Sequence, residues 1–195
     1  MSRTEINMPA DMSPPLIENE QGGVRKMGIE IEFVGMTPEK VCFLLKDLFG
    51  GEMKRVNDCE FHLQTENMGD FRVELDARIL KRLAERSEKN IQNEAFFDLE
   101  GFLKRAVSTA LEDIVPVEIV TPPLPIPACL ELDKIVPALK KEGAKDTHAS
   151  TLAAFGLHLN PETPSFNSPC ILRYIQSYTL VSEWLRREIS VDLSR

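Results

Sequence analysis

The chain has 195 residues, 43% of them hydrophobic and 28% charged, which suits one globular domain with a sizeable core plus loops. Its formal net charge of −8 argues against a nucleic-acid surface, because phosphate binding needs a clustered basic face. No basic stretch followed by an apolar run stands at the N-terminus and no segment has the apolar length of a bilayer span. With four scattered cysteines (Cys42, Cys59, Cys129 and Cys170) in no zinc-like spacing, the expected setting is the reducing cytoplasm, away from membranes.

Residues 1–23 are polar and proline-containing, lack periodicity and end in Gly22-Gly23, so they read as a disordered tail ahead of a domain over 24–195. Lys26–Phe33 alternates as a strand: Met27, Ile29, Ile31 and Phe33 share one face, and Gly28, Glu30 and Glu32 the other. Thr37 caps a predicted helix with Pro38 at its first position and Val41, Leu44, Leu45 and Leu48 as its apolar stripe; Gly50-Gly51 ends it. Period-two patterning returns in Glu60–Glu66 and in Phe71–Arg78, where Arg72, Glu74, Asp76 and Arg78 oppose Phe71, Val73 and Leu75. The stretch 79–90 fits either a helix or an insertion, and a helix is predicted over about 93–113. Val115–Val120 reads as a strand, Leu130–Lys141 as a helix interrupted by Pro137, and Phe155–Asn160 as a strand. A last helix follows Ser168-Pro169 through Tyr174, Tyr178, Val181 and Leu185. The sum is α+β: an antiparallel sheet with helices on its apolar face and a polar, ligand-binding face opposite.

That polar face carries the candidate chemistry. Glu30 and Glu32, two apart on a strand, project to one side and repel unless a cation lies between them. A solvated acidic face would produce the same E-x-E spacing. Glu118 interrupts the apolar run Val115-Pro-Val-Glu-Ile-Val120, where a carboxylate needs a partner: a cation, or an arginine. His158, in Gly156-Leu-His-Leu-Asn-Pro161, suits either a structural hydrogen bond, a metal shell that accepts Mn²⁺, or a phosphate contact, and Gly156 leaves room for a ligand. Arg72, Glu74, Asp76 and Arg78 either pair among themselves or hold a substrate carboxylate or amine; His62 and Glu66 are weaker candidates. No P-loop, Rossmann, G-x-S-x-G or H-E-x-x-H motif occurs.

Met27-Gly-Ile-Glu-Ile-Glu-Phe33, Val117-Glu-Ile-Val-Thr-Pro-Pro-Leu124 and Gly156-Leu-His-Leu-Asn160 occur in the order seen in the amidoligase family, and the Val73–Leu80 stretch resembles its intervening strand. That family belongs to the carboxylate–amine ligase superfamily, with glutamine synthetase and glutamate–cysteine ligase. The resemblance implies a sheet of that type whose concave face binds metal. It implies Glu30, Glu32, Glu118 and His158 as catalytic metal ligands for Mg²⁺ or Mn²⁺, with His158 and Asn160 toward ATP and Asp76 and Arg72 toward substrate. ATP would phosphorylate a carboxylate, and an amine would displace phosphate from the acyl phosphate. The partners implied are small-molecule or peptide carboxylates and amines, with oligomeric state left open. Family members carry a shorter connection where this chain has its 80–114 stretch, and they continue past the region matching Arg195, so 24–195 reads as a catalytic domain that is incomplete at its C-terminus. A non-catalytic nucleotide- or metal-binding module of the same fold, or a metal-dependent phosphohydrolase, are the alternatives.

Overall fold

A computed structural model describes residues 14–76, 115–145 and 156–188. The expectations over 79–90 and 93–113 lie outside the described residues. Within them, the alternating segments pair into a seven-stranded antiparallel sheet: β1 (Lys26–Phe33), β2 (Glu52–Asn57), β3 (Glu60–Thr65), β4 (Gly69–Leu75), β5 (Val117–Val120), β6 (Leu124–Pro125) and β7 (Gly156–Pro161). The strand order is β2-β3-β4-β5-β1-β6, and β7 also pairs with β1. Sequence periodicity located β1 to the residue and β3, β4, β5 and β7 to within a few positions. It did not find β2, since every residue of that edge strand except Met53 is exposed and no apolar alternation marks it.

Odd-numbered positions form the core. Ile29, Ile31 and Phe33 of β1, Phe61 and Leu63 of β3, Phe71, Val73 and Leu75 of β4, and Val117 and Ile119 of β5 are all buried. Helix α1 (Pro38–Phe49) starts where expected: the Thr37 hydroxyl accepts from the Lys40 N–H at 3.3 Å, and Pro38 occupies the first turn, where a missing N–H costs nothing. Its buried stripe, Val41, Cys42, Leu44 and Leu45, meets β3 and β4, and Phe49 stacks on Phe71 at 5.2 Å between ring centroids. Gly50 closes the helix at φ 71°, and Gly51, at φ 103°, turns the chain so tightly into β2 that a Cβ there would lie 2.3 Å from the Gln64 carbonyl oxygen.

The helix predicted over Leu130–Lys141 is two elements: 3₁₀ turns over Ile126–Lys134, then α2 (Ile135–Lys141). Pro137 does not interrupt α2, because it sits in the first turn, whose N–H groups have no intrahelical acceptor.

The chain divides into two compact units. One comprises Gly28–Leu124 with Ala128–Asn160 and holds α1, α2, β2 to β5 and most of β1 and β7. The other is drawn from Met1–Met27, Pro125–Pro127 and Pro161–Arg195. Arg25, only 4% exposed, organises the second unit: Nε donates to the Glu162 carbonyl and Nη1 to that of Leu16, both at 2.8 Å, and Nη2 donates to the Tyr174 hydroxyl at 3.2 Å. The Glu162 carboxylate accepts from Asn19 Nδ2 at 2.8 Å and from the Lys26 N–H at 3.0 Å; the Asn19 bond, first among its causes, holds its pKa below the ordinary value. Residues 14–23, part of the segment read as a tail, carry a turn closed by Asn19 and a bridge from Glu18 to Val24. Helix α3 (Ser168–Glu188) runs through Tyr174, Tyr178, Val181 and Leu185 as predicted and buries none of its residues.

Candidate metal centre

The even-numbered positions make the other face, and its register decides which side chains meet. In the β1–β5 pairing Glu32 stands opposite Glu118 and Glu30 opposite Val120; β7 flanks β1 on its other side. The sequence alone allowed Glu30 and Glu32 to lie on a solvated acidic surface. The structure excludes that for Glu32, which is 2% exposed, and buries Glu118 as its apolar strand led one to expect, at 8%.

Glu30 of β1, Glu118 of β5 and His158 of β7 each bring one donor atom to within 4.8 Å of the others. Glu30 is the hub. Its Oε2 lies 2.8 Å from His158 Nδ1 and its Oε1 accepts from Asn160 Nδ2 at 3.2 Å. An ionised carboxylate only accepts, so the imidazole donates from Nδ1, and in the neutral ring Nε2 carries the lone pair. His158 and Glu30 are joined across 128 positions of sequence, and it is the β1–β7 pairing that sets them side by side. Gly28, on the same face and in extended backbone, leaves open space: a Cβ there would meet only Asn160 Cβ, at 3.9 Å. Gly156, expected to make room for a ligand, is buried at the start of β7.

Two carboxylates and an imidazole are a donor set for a hard or borderline divalent cation; the oxygens suit Mg²⁺, and the histidine extends the choice to Mn²⁺. Of the four ligands implied from sequence, the structure thus gathers Glu30, Glu118 and His158. Glu32 lies outside that trio, at the register position facing Glu118.

The substrate-side candidates lie further along the sheet. Arg72 on β4 is exposed, and its Nη2 contacts Glu74 Oε1 at 3.2 Å. Asp76 is buried just past the end of β4, where its N–H donates to the Pro116 carbonyl at 2.9 Å. Burial raises the pKa of Glu74; Arg72 and His62 counter this, while Glu60 and Asp76 add to it. Glu60, whose Oε1 is 2.7 Å from His62 Nε2, was not singled out from sequence. Its charged position on the polar side of β3 was visible, but nothing local connected it to Glu74, which faces it across the β3–β4 ladder.

The family model described as "Putative amidoligase enzyme" matches residues 24–195. No curated protein and no solved structure matches the chain. Among the described residues no helix is long and apolar enough to cross a membrane. The match spans all the strands and all the residues of the centre, and the chain therefore belongs to the amidoligase family, whose name denotes amide-bond-forming ligases.

Proposed function

We propose that the chain is the sheet-bearing catalytic domain of an ATP-dependent carboxylate–amine ligase, with a sheet of the glutamine synthetase and glutamate–cysteine ligase type. The observation that carries this reading is the convergence of Glu30, Glu118 and His158 from three neighbouring strands, in a member of the amidoligase family. A bound Mg²⁺ or Mn²⁺ supplies charge neutralisation for the phosphoryl oxygens as ATP activates a substrate carboxylate. Glu30 and Glu118 are the anionic ligands, and Glu32, opposite Glu118, adds negative charge to the same region. Glu30 also orients His158 through Nδ1, which leaves Nε2 as the nitrogen that would take the cation or an ATP phosphate. Asn160 holds the other Glu30 oxygen, limiting carboxylate rotation, and lies toward the nucleotide in this reading.

Rigid strands place these groups with little reorganisation, which is what electrostatic stabilisation of a moving phosphoryl group requires. The acyl phosphate so formed gives the carboxylate a leaving group, and an incoming amine displaces phosphate. Arg72 and Asp76 are assigned to substrate. In this reading the protein works in the reducing cytoplasm, where its four cysteines stay thiols.

Incubation with ATP, Mn²⁺ and pooled amino acids and peptides tests the reading by phosphate release and by mass spectrometry of the amide product. Amine-dependent phosphate release with a matching condensation mass supports it. Phosphate release indifferent to amine identifies a phosphohydrolase, and nucleotide affinity without turnover identifies a binding module; either outcome overturns the ligase assignment.

A further inference from the structure

The β1–β5 ladder carries two carboxylates of the centre, Glu30 and Glu118, and it stops at a proline kink beside them. Glu30 stands opposite Val120, the last residue of β5. Thr121, Pro122 and Pro123 follow and belong to no strand, and β6 begins only at Leu124. Proline has no N–H to give a ladder, so main-chain pairing lapses there. One residue secures β1 at the break. The Thr121 N–H donates to the Ile29 carbonyl at 2.9 Å, and the Ile29 N–H donates to Thr121 Oγ1, also at 2.9 Å. A hydrogen-bonded pair in an antiparallel ladder normally exchanges both bonds through main-chain groups. Here the threonine hydroxyl takes the place of the carbonyl, and a side chain closes the pair. Ile29 and Thr121 are 7% and 4% exposed, so solvent does not replace an acceptor lost at this point.

The neighbour of Ile29 is Glu30. Bonded and non-bonded pairs alternate along an antiparallel ladder, so the Glu30–Val120 pair, next to a bonded one, exchanges no main-chain bonds. The distance of Glu30 from β5 is therefore set by the pairs on either side, Ile31 with Ile119 and Ile29 with Thr121. The kink that presents Thr121 is itself braced. The β3–β4 turn closes against it, since a Cβ on Gly69 would lie 3.1 Å from Pro122 Cγ. Thr65 holds that turn, its hydroxyl accepting from the Met68 N–H at 3.0 Å and donating to the Gly69 carbonyl at 2.8 Å. We propose that Thr121 is a positioning residue of the metal centre, its hydroxyl holding β1 against β5 so that Glu30 and Glu118 keep the separation a shared cation needs. Thr121 acts through the Ile29 main chain rather than by touching the cation. The proposal rests on the metal centre of the ligase reading and on none of its later chemistry.

Thr121→Val removes the acceptor at nearly constant shape, and Thr121→Ser keeps it. Thr37→Ala, which removes the hydroxyl that caps α1, is a control with a comparable cost to stability. Each variant is titrated with Mn²⁺ by calorimetry, and its unfolding is followed by circular dichroism. Thr121→Val should melt roughly 2–6 °C lower and bind Mn²⁺ about tenfold more weakly, the effect usual for groups that orient metal ligands. Thr121→Ser should stay within about twofold of the wild type in Mn²⁺ affinity, and so should Thr37→Ala despite its lower melting temperature. Linkage requires the reverse effect in the wild type: saturating Mg²⁺ should slow hydrogen exchange of the Ile29 amide about tenfold more than that of the β3 amides. That measurement decides the matter even if Thr121→Val does not fold. Unchanged Mn²⁺ affinity in Thr121→Val, an equal loss of affinity in Thr37→Ala, or an Ile29 amide indifferent to Mg²⁺ overturns the proposal and leaves the metal centre standing. A wild type that binds no Mn²⁺ overturns both.

Discussion

Glu30→Gln separates the metal-binding role of Glu30 from a structural one. The substitution keeps side-chain length and an acceptor oxygen but removes one of the two negative charges in the Glu30–Glu118–His158 trio. Its structural cost is small. The Glu30–His158 pair has side chains 30% and 42% exposed, a setting in which ion pairs contribute about 0.2–1 kcal/mol. For a domain of this size that corresponds to a fall in melting temperature of no more than about 4 °C. The cation, in contrast, loses an anionic ligand outright, and affinity for hard divalent ions follows ligand charge. A loss of about a hundredfold in Mn²⁺ affinity is expected, or ~2.7 kcal/mol at 1.36 kcal/mol per decade. Isothermal calorimetry with Mn²⁺, alongside thermal unfolding monitored by circular dichroism, reads both quantities. Unchanged Mn²⁺ affinity would show that Glu30 is not a ligand. A fall in melting temperature beyond about 8 °C would show instead that its bonds to His158 and Asn160 serve to clasp β7 onto β1.

Three further substitutions probe the scaffold under the site. Gly51→Ala sets a methyl 2.3 Å from the Gln64 carbonyl oxygen at φ 103°, so it should cost about 3 kcal/mol, or roughly 6–12 °C; Gly50→Ala, at φ 71° with nothing within 4 Å, should cost only about 1 kcal/mol. Equal melting temperatures for the two variants would contradict the tight α1–β2 turn. Burial pushes the Cys42 thiol from 9.0 up to about 11, the neutral form being favoured in the fold. The stability this confers is complete below pH 9 and is lost as pH rises through 11. The unfolding free energy of the wild type should therefore fall by ~2–3 kcal/mol more than that of Cys42→Ala across this window, and parallel curves would refute the assignment.

The residues of β1 and α1 show how far local patterning reaches. Alternation in Lys26–Phe33 and the Thr37-Pro38 start with its Gly50 end are short-range signals, set by the pleat and by capping geometry, and both elements occur at the positions read from sequence. Strand β2 was invisible for the same reason, since it is an edge strand held by its ladder to β3 and has no buried stripe of its own. Pro137 was misread as an interruption because its effect depends on where the helix begins, and the preceding 3₁₀ turns decide that.

The candidate site divides along the same line. Sequence by itself determined which residues face away from the core, because side-chain direction alternates strictly along a strand, and the ordered motifs of β1, β5 and β7 were enough to identify the family. Only tertiary structure decided which of those residues meet. Pairing between strands distant in sequence brought Glu30, Glu118 and His158 together, left Glu32 outside the trio and buried both Glu32 and Glu118, and the β3–β4 ladder aligned Glu60 with Glu74. Register is a property of pairs of strands, and a shift of one residue in any of them would have turned its charged side chains to the opposite face.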